Sequence, residues 1–347
     1  MNLIANRLNE ARGQFCFSGY QLFFQKHGTA ARSLYGGETS YWPPANPVTP
    51  RTLFDIGSVT KAVVTTSLMA LAVDAGTFRL EHTVGQLVPQ WAKTPLAKIS
   101  LEQLLSHSAG LRWWYPVAEE TSRAGFLEWF AKKANILCEA PPGRRAVYSD
   151  LGFMVLGVIL ETHIGELVTE YQQKIASPLK MSSVVFGPTD PSHCVATEYH
   201  LKEKRLIHGE VFDDNARGWD GKAPHAGLFA SAQGLAPWAE EWLKAYHGES
   251  QWLSQKTARR FTHRANHIAN SSWALGWDTK SELGSSAGSL FSLESFGHLG
   301  FTGSSVWIDP IKRGFAIFLT NRVHPSRLDE RIRQIRPWVH DEVAKTW

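Results

Sequence analysis

Ser58-Val59-Thr60-Lys61 stands at the head of a long apolar run, Ala62 through Ala75. The run reads as a buried helix that stops at Gly76, a natural C-cap. Residues three apart share a helix face, with Cβ atoms roughly 5–6 Å apart, so Lys61 can reach the Ser58 hydroxyl. The helix N-terminus adds unpaired N–H groups and the positive end of the dipole, which suit a developing oxyanion. Serine and lysine so placed are the core of an acyl-transfer site. A lysine near its usual pKa of ~10.4 is a poor base at neutral pH, and burial would lower that value. The pattern recurs at Ser177-Pro178-Leu179-Lys180. There it follows a helical stretch, Glu166 to Ala176, and Pro178 reads as a stop with no buried helix behind it.

Two further segments carry candidate chemistry. Tyr148-Ser149-Asp150 sits just before a second apolar stretch, Asp150 to Thr162, after Pro141-Pro142-Gly143. A tyrosine at such a junction can project into a cleft and, beside a lysine, relay a proton to a leaving group. Equally, it can be a half-buried residue at a helix start, with Asp150 as N-cap. Gly297-His298-Leu299-Gly300-Phe301-Thr302-Gly303 precedes a strand, where glycines let a substrate backbone approach closely. The H-x-G pattern also occurs at His163, at a helix end, and at His225, in a turn that could line a cleft. His298 is preferred because the strand Ser304 to Ile308 follows it.

The elements that must hold these groups are legible in outline. Phe15 to Phe24 and Arg32 to Tyr41 read as strands. Ser100-Leu101-Glu102-Gln103 has capping-box form and opens a short helix through Leu105. Helices are expected at Phe126 to Leu137, Asp150 to Thr162, Glu166 to Ala176, Ser231 to His247 and Ser254 to His263. A hairpin is expected around Lys202-Glu203-Lys204, in a looser stretch where Arg217 and the Asp213-Asp214-Asn215 cluster either rim the pocket or, the preferred reading, form a solvated loop. Phe315 to Leu319 is a strand, and Ser326 to Ala344 a helix with Leu328, Ile332, Ile335, Val339 and Val343 on one face, kinked or interrupted at Pro337. Strands at both ends and helices between imply an α/β (α+β) domain built from residues 1–57 and 226–347. A mainly helical domain, 58–225, is inserted, with the site in the cleft between them.

Composition narrows the classes. At 347 residues the chain has room for two domains, and 43% apolar with 20% charged residues is ordinary for a globular protein. The net charge of +4 comes with no basic stripe, so nucleic-acid binding is not expected. Cys16, Cys138 and Cys194 are scattered and odd in number, which argues against a disulfide framework or a zinc site. The 14 histidines contain no H-E-x-x-H, so no metal is proposed, and no other cofactor is implied. No stretch reaches the ~20 apolar residues of a membrane span, and Met1 to Gln14 lacks a signal-peptide core. The expected compartment is the cytoplasm, unless the true start lies upstream. Oligomeric state is left open.

Taken in order, S-V-T-K, Y-S-D and H-L-G resemble the three signature elements of the serine β-lactamase and penicillin-binding protein superfamily. The tyrosine in the second element is similar to the Y-x-N form of class C β-lactamases and related esterases and D,D-peptidases. Phe54 to Ser58, Leu104 to Leu111, Tyr148 to Phe153 and Gly297 to Pro310 strengthen the likeness, which extends from about residue 15 to 325. The resemblance implies an antiparallel sheet flanked by helices plus an all-helical lobe. It implies that Ser58 is the nucleophile, Lys61 its proton acceptor and Tyr148 a proton shuttle, with His298 at the position of the lysine in K-T-G. The oxyanion hole would be the backbone N–H groups of Ser58 and of Phe301, after Gly300. Trp113 and Trp114, in Arg112-Trp113-Trp114-Tyr115, would lie at the cleft mouth, where they could stack on a sugar ring or acyl group or simply pack.

Two departures stand out. Asp150 replaces the asparagine, and an ionised carboxylate cannot donate to a substrate carbonyl as an amide can. Near Lys61 it would hold that lysine charged, which makes Tyr148 the more attractive base. His298 replaces a permanent cation with a group mostly neutral at pH 7. The implied function is a serine hydrolase acting through an acyl-enzyme on a small ester, a β-lactam or a D-amino-acid amide from cell-wall peptide. A non-catalytic sensor on the same fold and an acyltransferase are the rival readings.

Overall fold

The segment Gly314–Thr320 is apolar at almost every position, more than a strand with one wet face requires. The structure, a computed structural model that describes residues 1–265 and 268–347, shows why. Phe315, Ile317 and Leu319 point into one hydrophobic core, while Ala316 and Phe318 point into another. The strand is therefore central in a three-layer arrangement. Its neighbour Ser305–Asp309 alternates in the same way, with Val306 and Ile308 on one side and Trp307 on the other.

Among the described residues the main sheet has six antiparallel strands, in the order 32–37, 19–26, 314–320, 305–309, 296–299 and 278–279. Tyr20 pairs with Thr320 and Lys26 with Gly314, so the first and last strands of the chain lie side by side. Helices Asn2–Gly13 and Ile332–Ala344 cover one face through Ile4, Leu8, Ile332, Ile335, Val339 and Val343. Helix Ala232–His247 covers the other. Residues between Asp55 and Val184 add no strand to this sheet; they are mainly helical. A small sheet joins Phe54–Asp55, Leu228–Ala230 and Val184–Phe186, and anchors the segment that leads into Ser58. This is the antiparallel sheet flanked by helices, with further helices, that the motifs implied.

The capping box at Ser100 forms with both reciprocal bonds, and Phe126–Leu137 is helical over the expected span. The hairpin around Lys202-Glu203-Lys204 joins Tyr199–His200 to Arg205–Leu206. Four expectations need correction. The helix after Ser58 opens as a π-helical segment, Lys61–Thr66, before its α-helical part, Ser67–Asp74. The N-cap of Asp150–His163 is Ser149, whose Oγ accepts from Gly152 N–H at 3.1 Å, which leaves the Asp150 carboxylate free for other work. Asp213 and Asn215 are not a solvated loop: Asp213 caps a short helix, Asp214–Gly218, that buries Asn215 and Ala216. The closing helix starts at Ile332 and runs through Pro337 without a break, and Leu328 is 85% exposed. Arg322 takes the carbonyls of Arg327 (2.9 Å) and Asp329 (2.8 Å), which ties residues 327–329 down as a loop.

Candidate active site

Three elements bring Ser58, Lys61 and Tyr148 together. Gly57 adopts φ +52°, and its N–H is taken by Asp55 Oδ1 at 2.8 Å, so the chain turns sharply just before Ser58. Ser58 is partly exposed, whereas Lys61 is fully buried. Lys61 Nζ donates to Ser58 Oγ at 3.0 Å and to the His225 carbonyl at 3.1 Å, and pairs with Asp150 Oδ1 at 2.6 Å. It also lies 4.9 Å from the centroid of the Tyr148 ring. The Tyr148 phenol is close enough to both Lys61 and Ser58 for them to pull its pKa downward. Burial opposes the charge on Lys61, but the Asp150 carboxylate and the Tyr148 phenol outweigh it and hold the lysine above its ordinary pKa. Burial likewise raises the Tyr148 phenol, against the pull of Lys61. The resting site therefore contains a charged lysine, a carboxylate and a neutral tyrosine.

Sequence reasoning gave His107 no role, yet it fixes Tyr148. Its carbonyl accepts from Val147 N–H at 2.8 Å and its Nδ1 from Ser149 N–H at 3.1 Å, so one residue grips the chain on both sides of the tyrosine. Nδ1 must carry a lone pair to do this, which puts the proton on Nε2. Burial and the nearby Lys61 push the His107 pKa well below 6.5, so the neutral form persists. The His107 ring also packs against Tyr148 at 4.6 Å and Trp273 at 4.5 Å between centroids. Trp273, also missed, stacks on Tyr148 at 5.3 Å. The signal for His107 lay in its φ of +55°, a backbone state that a sequence pattern does not reveal.

His298 lies on the edge of the same cluster, 6.2 Å from Tyr148 and 6.0 Å from Trp273 between ring centroids. It is buried, and its Nδ1–H donates to the Leu299 carbonyl at 2.8 Å. Burial, reinforced by Lys61, pushes its pKa down to about 3. It is thus a neutral imidazole across the working pH range, with the Nε2 lone pair unpartnered among the described residues. His225 contributes its backbone carbonyl to Lys61, while its Nε2 pairs with Asp213 Oδ1 at 3.0 Å. His163 bonds the Leu87 carbonyl at a helix end, and Ser177 is exposed on a turn.

The loop Gly300–Ser304 closes on the turn that leads into Ser58. A Cβ on Gly300 would stand 2.2 Å from the Ile56 carbonyl oxygen, so glycine is required where the two segments touch. A Cβ on Gly57 would stand 3.3 Å from Phe301 N, which places that N–H beside Ser58. Neither the Ser58 nor the Phe301 N–H has a backbone or side-chain acceptor among the described residues. Two buried arginines hold the loop by its carbonyls. Arg336 takes Gly300 (2.6 Å), Ser304 (3.0 Å) and Gly303 (3.2 Å), and Arg322 takes Phe301 (2.6 Å). With the Gly300 carbonyl turned toward Arg336, the planar trans peptide points the Phe301 N–H the opposite way, off the arginine. The Phe301 ring is half exposed, sandwiched between Arg322 at 4.1 Å and Phe212 at 5.6 Å.

Trp113 and Trp114 stand 6.0 Å apart between centroids, with Trp113 exposed. Their loop is bolted to the site: Asp150 N–H donates to the Trp113 carbonyl at 3.0 Å and Ser149 Oγ to that of Arg112 at 2.7 Å. Among the described residues no cluster of His, Cys, Asp or Glu could hold a metal ion, and no single helix is long and apolar enough to cross a membrane.

Comparison with known proteins adds context. The family model described as Beta-lactamase matches residues 17–337. A "Putative D-alanyl-D-alanine carboxypeptidase" of Escherichia coli (strain K12) is 27% identical over 342 residues, covering 89% of this chain and 77% of the relative. An "N-acetylmuramyl-L-alanine amidase" of Bacillus subtilis (strain 168) is 28% identical over 310 residues, covering 80% and 70%. A solved class C beta-lactamase superposes with a TM-score of 0.76 at 16% identity, covering 99% of this chain and 96% of that one.

Proposed function

The chain belongs to the Beta-lactamase family, and from that premise we propose that it is a serine hydrolase forming an acyl-enzyme on Ser58. Its substrates on this reading are small esters or amides, including D-amino-acid amides of cell-wall peptides. The observation that carries it is the contact between Ser58 Oγ and Lys61 Nζ, 3.0 Å, beside two unpartnered backbone N–H groups. The names of the carboxypeptidase and amidase relatives support the peptide side of the reading.

In the proposed cycle Ser58 Oγ attacks the carbonyl carbon. Lys61, having first shed a proton, takes the one that Ser58 loses. The oxyanion rests between the N–H groups of Ser58 and Phe301. One such donor is worth roughly 2.7–4 kcal/mol of barrier. Tyr148 then passes a proton, drawn from Lys61, to the leaving oxygen or nitrogen as its bond to the acyl carbon breaks. Water repeats the sequence and frees Ser58. His298, being neutral, shapes the wall and supplies no fixed cation for a substrate carboxylate. That, and the charged state of Lys61, argue for slow turnover of β-lactams.

A fluorophosphonate probe and a fluorescent penicillin test the reading. The wild type is expected to be labelled and Ser58→Ala spared. Equal labelling of both proteins, or of neither, sinks it.

A further inference from the structure

Asp150 faces the site with one oxygen spare. Its Oδ1 is held by Lys61 at 2.6 Å, but Oδ2 receives no hydrogen bond from any described residue. The side chain is 13% exposed while Lys61 is fully covered, so what solvent or substrate can touch of this ion pair is the carboxylate. Its backbone is fixed by the N–H bond to the Trp113 carbonyl and the Ser149 cap, and the ion pair with Lys61 holds its side chain toward the site. The other ionisable groups around Ser58 do not offset it. His107 and His298 are neutral, and Asp213 is engaged with His225. Among the described side chains that line Ser58 the fixed cation is Lys61, which Asp150 has already neutralised.

We propose that Asp150 is a specificity residue that selects substrates carrying a hydrogen-bond donor, above all a free ammonium, on the acyl side of the scissile bond. This deepens the acyl-enzyme reading and rests on it. A carboxylate oxygen accepts hydrogen bonds and cannot give one, so an N-acyl carbonyl at this point meets repulsion where an ammonium meets a charge-assisted bond. The ammonium does a second job. By sharing the Asp150 charge it weakens the hold on Lys61, which then releases a proton to solvent more readily and is free to take that of Ser58. The substrates selected are esters and amides of amino acids with an unblocked α-amine, in preference to N-acylated peptides.

The test compares D-alanine p-nitroanilide with its N-acetyl derivative on wild type and Asp150→Asn. Fluorophosphonate labelling of each protein reports, separately, whether Ser58 is alive. For the wild type, kcat/KM is expected to favour the free amine by about 10- to 100-fold, the value of one charge-assisted bond. The ratio should collapse or invert in Asp150→Asn, whose amide can donate to the acetyl carbonyl. A residue that acted only by orienting Lys61 would slow both substrates alike. The acid limb of the wild-type pH–rate profile should also lie lower for the free amine than for the acetylated compound. If Asp150→Asn does not fold, these wild-type comparisons decide the matter. Labelling of Ser58 together with a wild-type preference for the acetylated substrate, or a ratio unmoved in Asp150→Asn, overturns the proposal and leaves the Ser58 reading standing. Failure of the probe to label Ser58 brings down both.

Discussion

Arg336→Met separates stability from catalysis. Arg336 is buried without a carboxylate partner, and burial, with the like charge of Arg322, pushes its pKa from 12.5 down to about 9. At 1.36 kcal/mol per pKa unit, holding that charge costs about 5 kcal/mol. Against this stand its three bonds to the carbonyls of Gly300, Gly303 and Ser304. Hydrogen bonds to a charged group contribute about 1.5–3 kcal/mol each, so together they return roughly 5–9 kcal/mol. Methionine fills a similar volume without a charge. It leaves the Gly303 carbonyl unpartnered, whereas Gly300 O keeps the Gly303 N–H and Ser304 O keeps the Gly300 N–H. The difference leaves roughly 0–4 kcal/mol in favour of the arginine, so urea unfolding should report a loss of stability of no more than about 4 kcal/mol. Activity should not be spared. With its carbonyls released, the loop no longer aims the Phe301 N–H, and kcat for p-nitrophenyl acetate should fall by about 100- to 1000-fold, with KM little changed. A folded Arg336→Met protein with kcat within about threefold of wild type would refute the loop-anchoring argument, because one misaligned oxyanion donor costs far more than that.

Other expectations follow from the same geometry. Because His298 is already neutral, kcat/KM for anionic and neutral esters should show the same pH dependence between pH 5 and 8; an extra fall with rising pH for the anionic ester alone would restore a cationic role. Ser67 Oγ accepts from the indole N–H groups of Trp238 (3.0 Å) and Trp242 (3.3 Å) in the core, so Ser67→Ala should destabilise the fold by about 2–5 kcal/mol in urea denaturation, through two orphaned donors. Stability should fall as the pH drops from 7 to 5. His298 (about 3), His324 (about 4) and His340 (about 4) have folded pKa values below that of an unfolded histidine, so each contributes stability above about pH 6.5 that is lost on acidification, roughly 2 kcal/mol each by pH 5. Asp55 and Asp278, both raised to about 6, work the other way and return roughly 1–1.5 kcal/mol each over the same interval. A protein equally stable at pH 5 would contradict this balance.

What was legible in the sequence was what is local. Ser58 and Lys61 are one helical turn apart, Tyr148 and Asp150 sit at one helix start, and His298 comes shortly before the strand Ser305–Asp309, so spacing alone could bring each set forward. The capping box at Ser100 and the cap at Ser231 are likewise set by residues within one turn. What escaped was whatever acts through backbone carbonyls supplied from far along the chain. His107 reaches Val147 and Ser149, Arg336 reaches Gly300, and the His225 carbonyl reaches Lys61, none of which a side-chain pattern encodes. The premature start assigned to the last helix has the same origin. Leu328 fits the periodicity, but Arg322 binds the carbonyls of residues 327 and 329, and tertiary hydrogen bonds override local preference.

The pairing of Tyr20 with Thr320 has a consequence for the life of the chain on the ribosome. The strand Gly314–Thr320 of the main sheet, the loop that carries Phe301 and the Arg336 that anchors it all follow Ser58 and Lys61 in the chain by well over two hundred residues. A contact between residues 300 positions apart must wait for the whole intervening chain and is slow to form. On the acyl-enzyme reading, the emerging chain carries Ser58 well before the Phe301 N–H that would complete its oxyanion site. On that reading, competence to cleave waits for the Phe301 loop and the helix that carries Arg336 to dock.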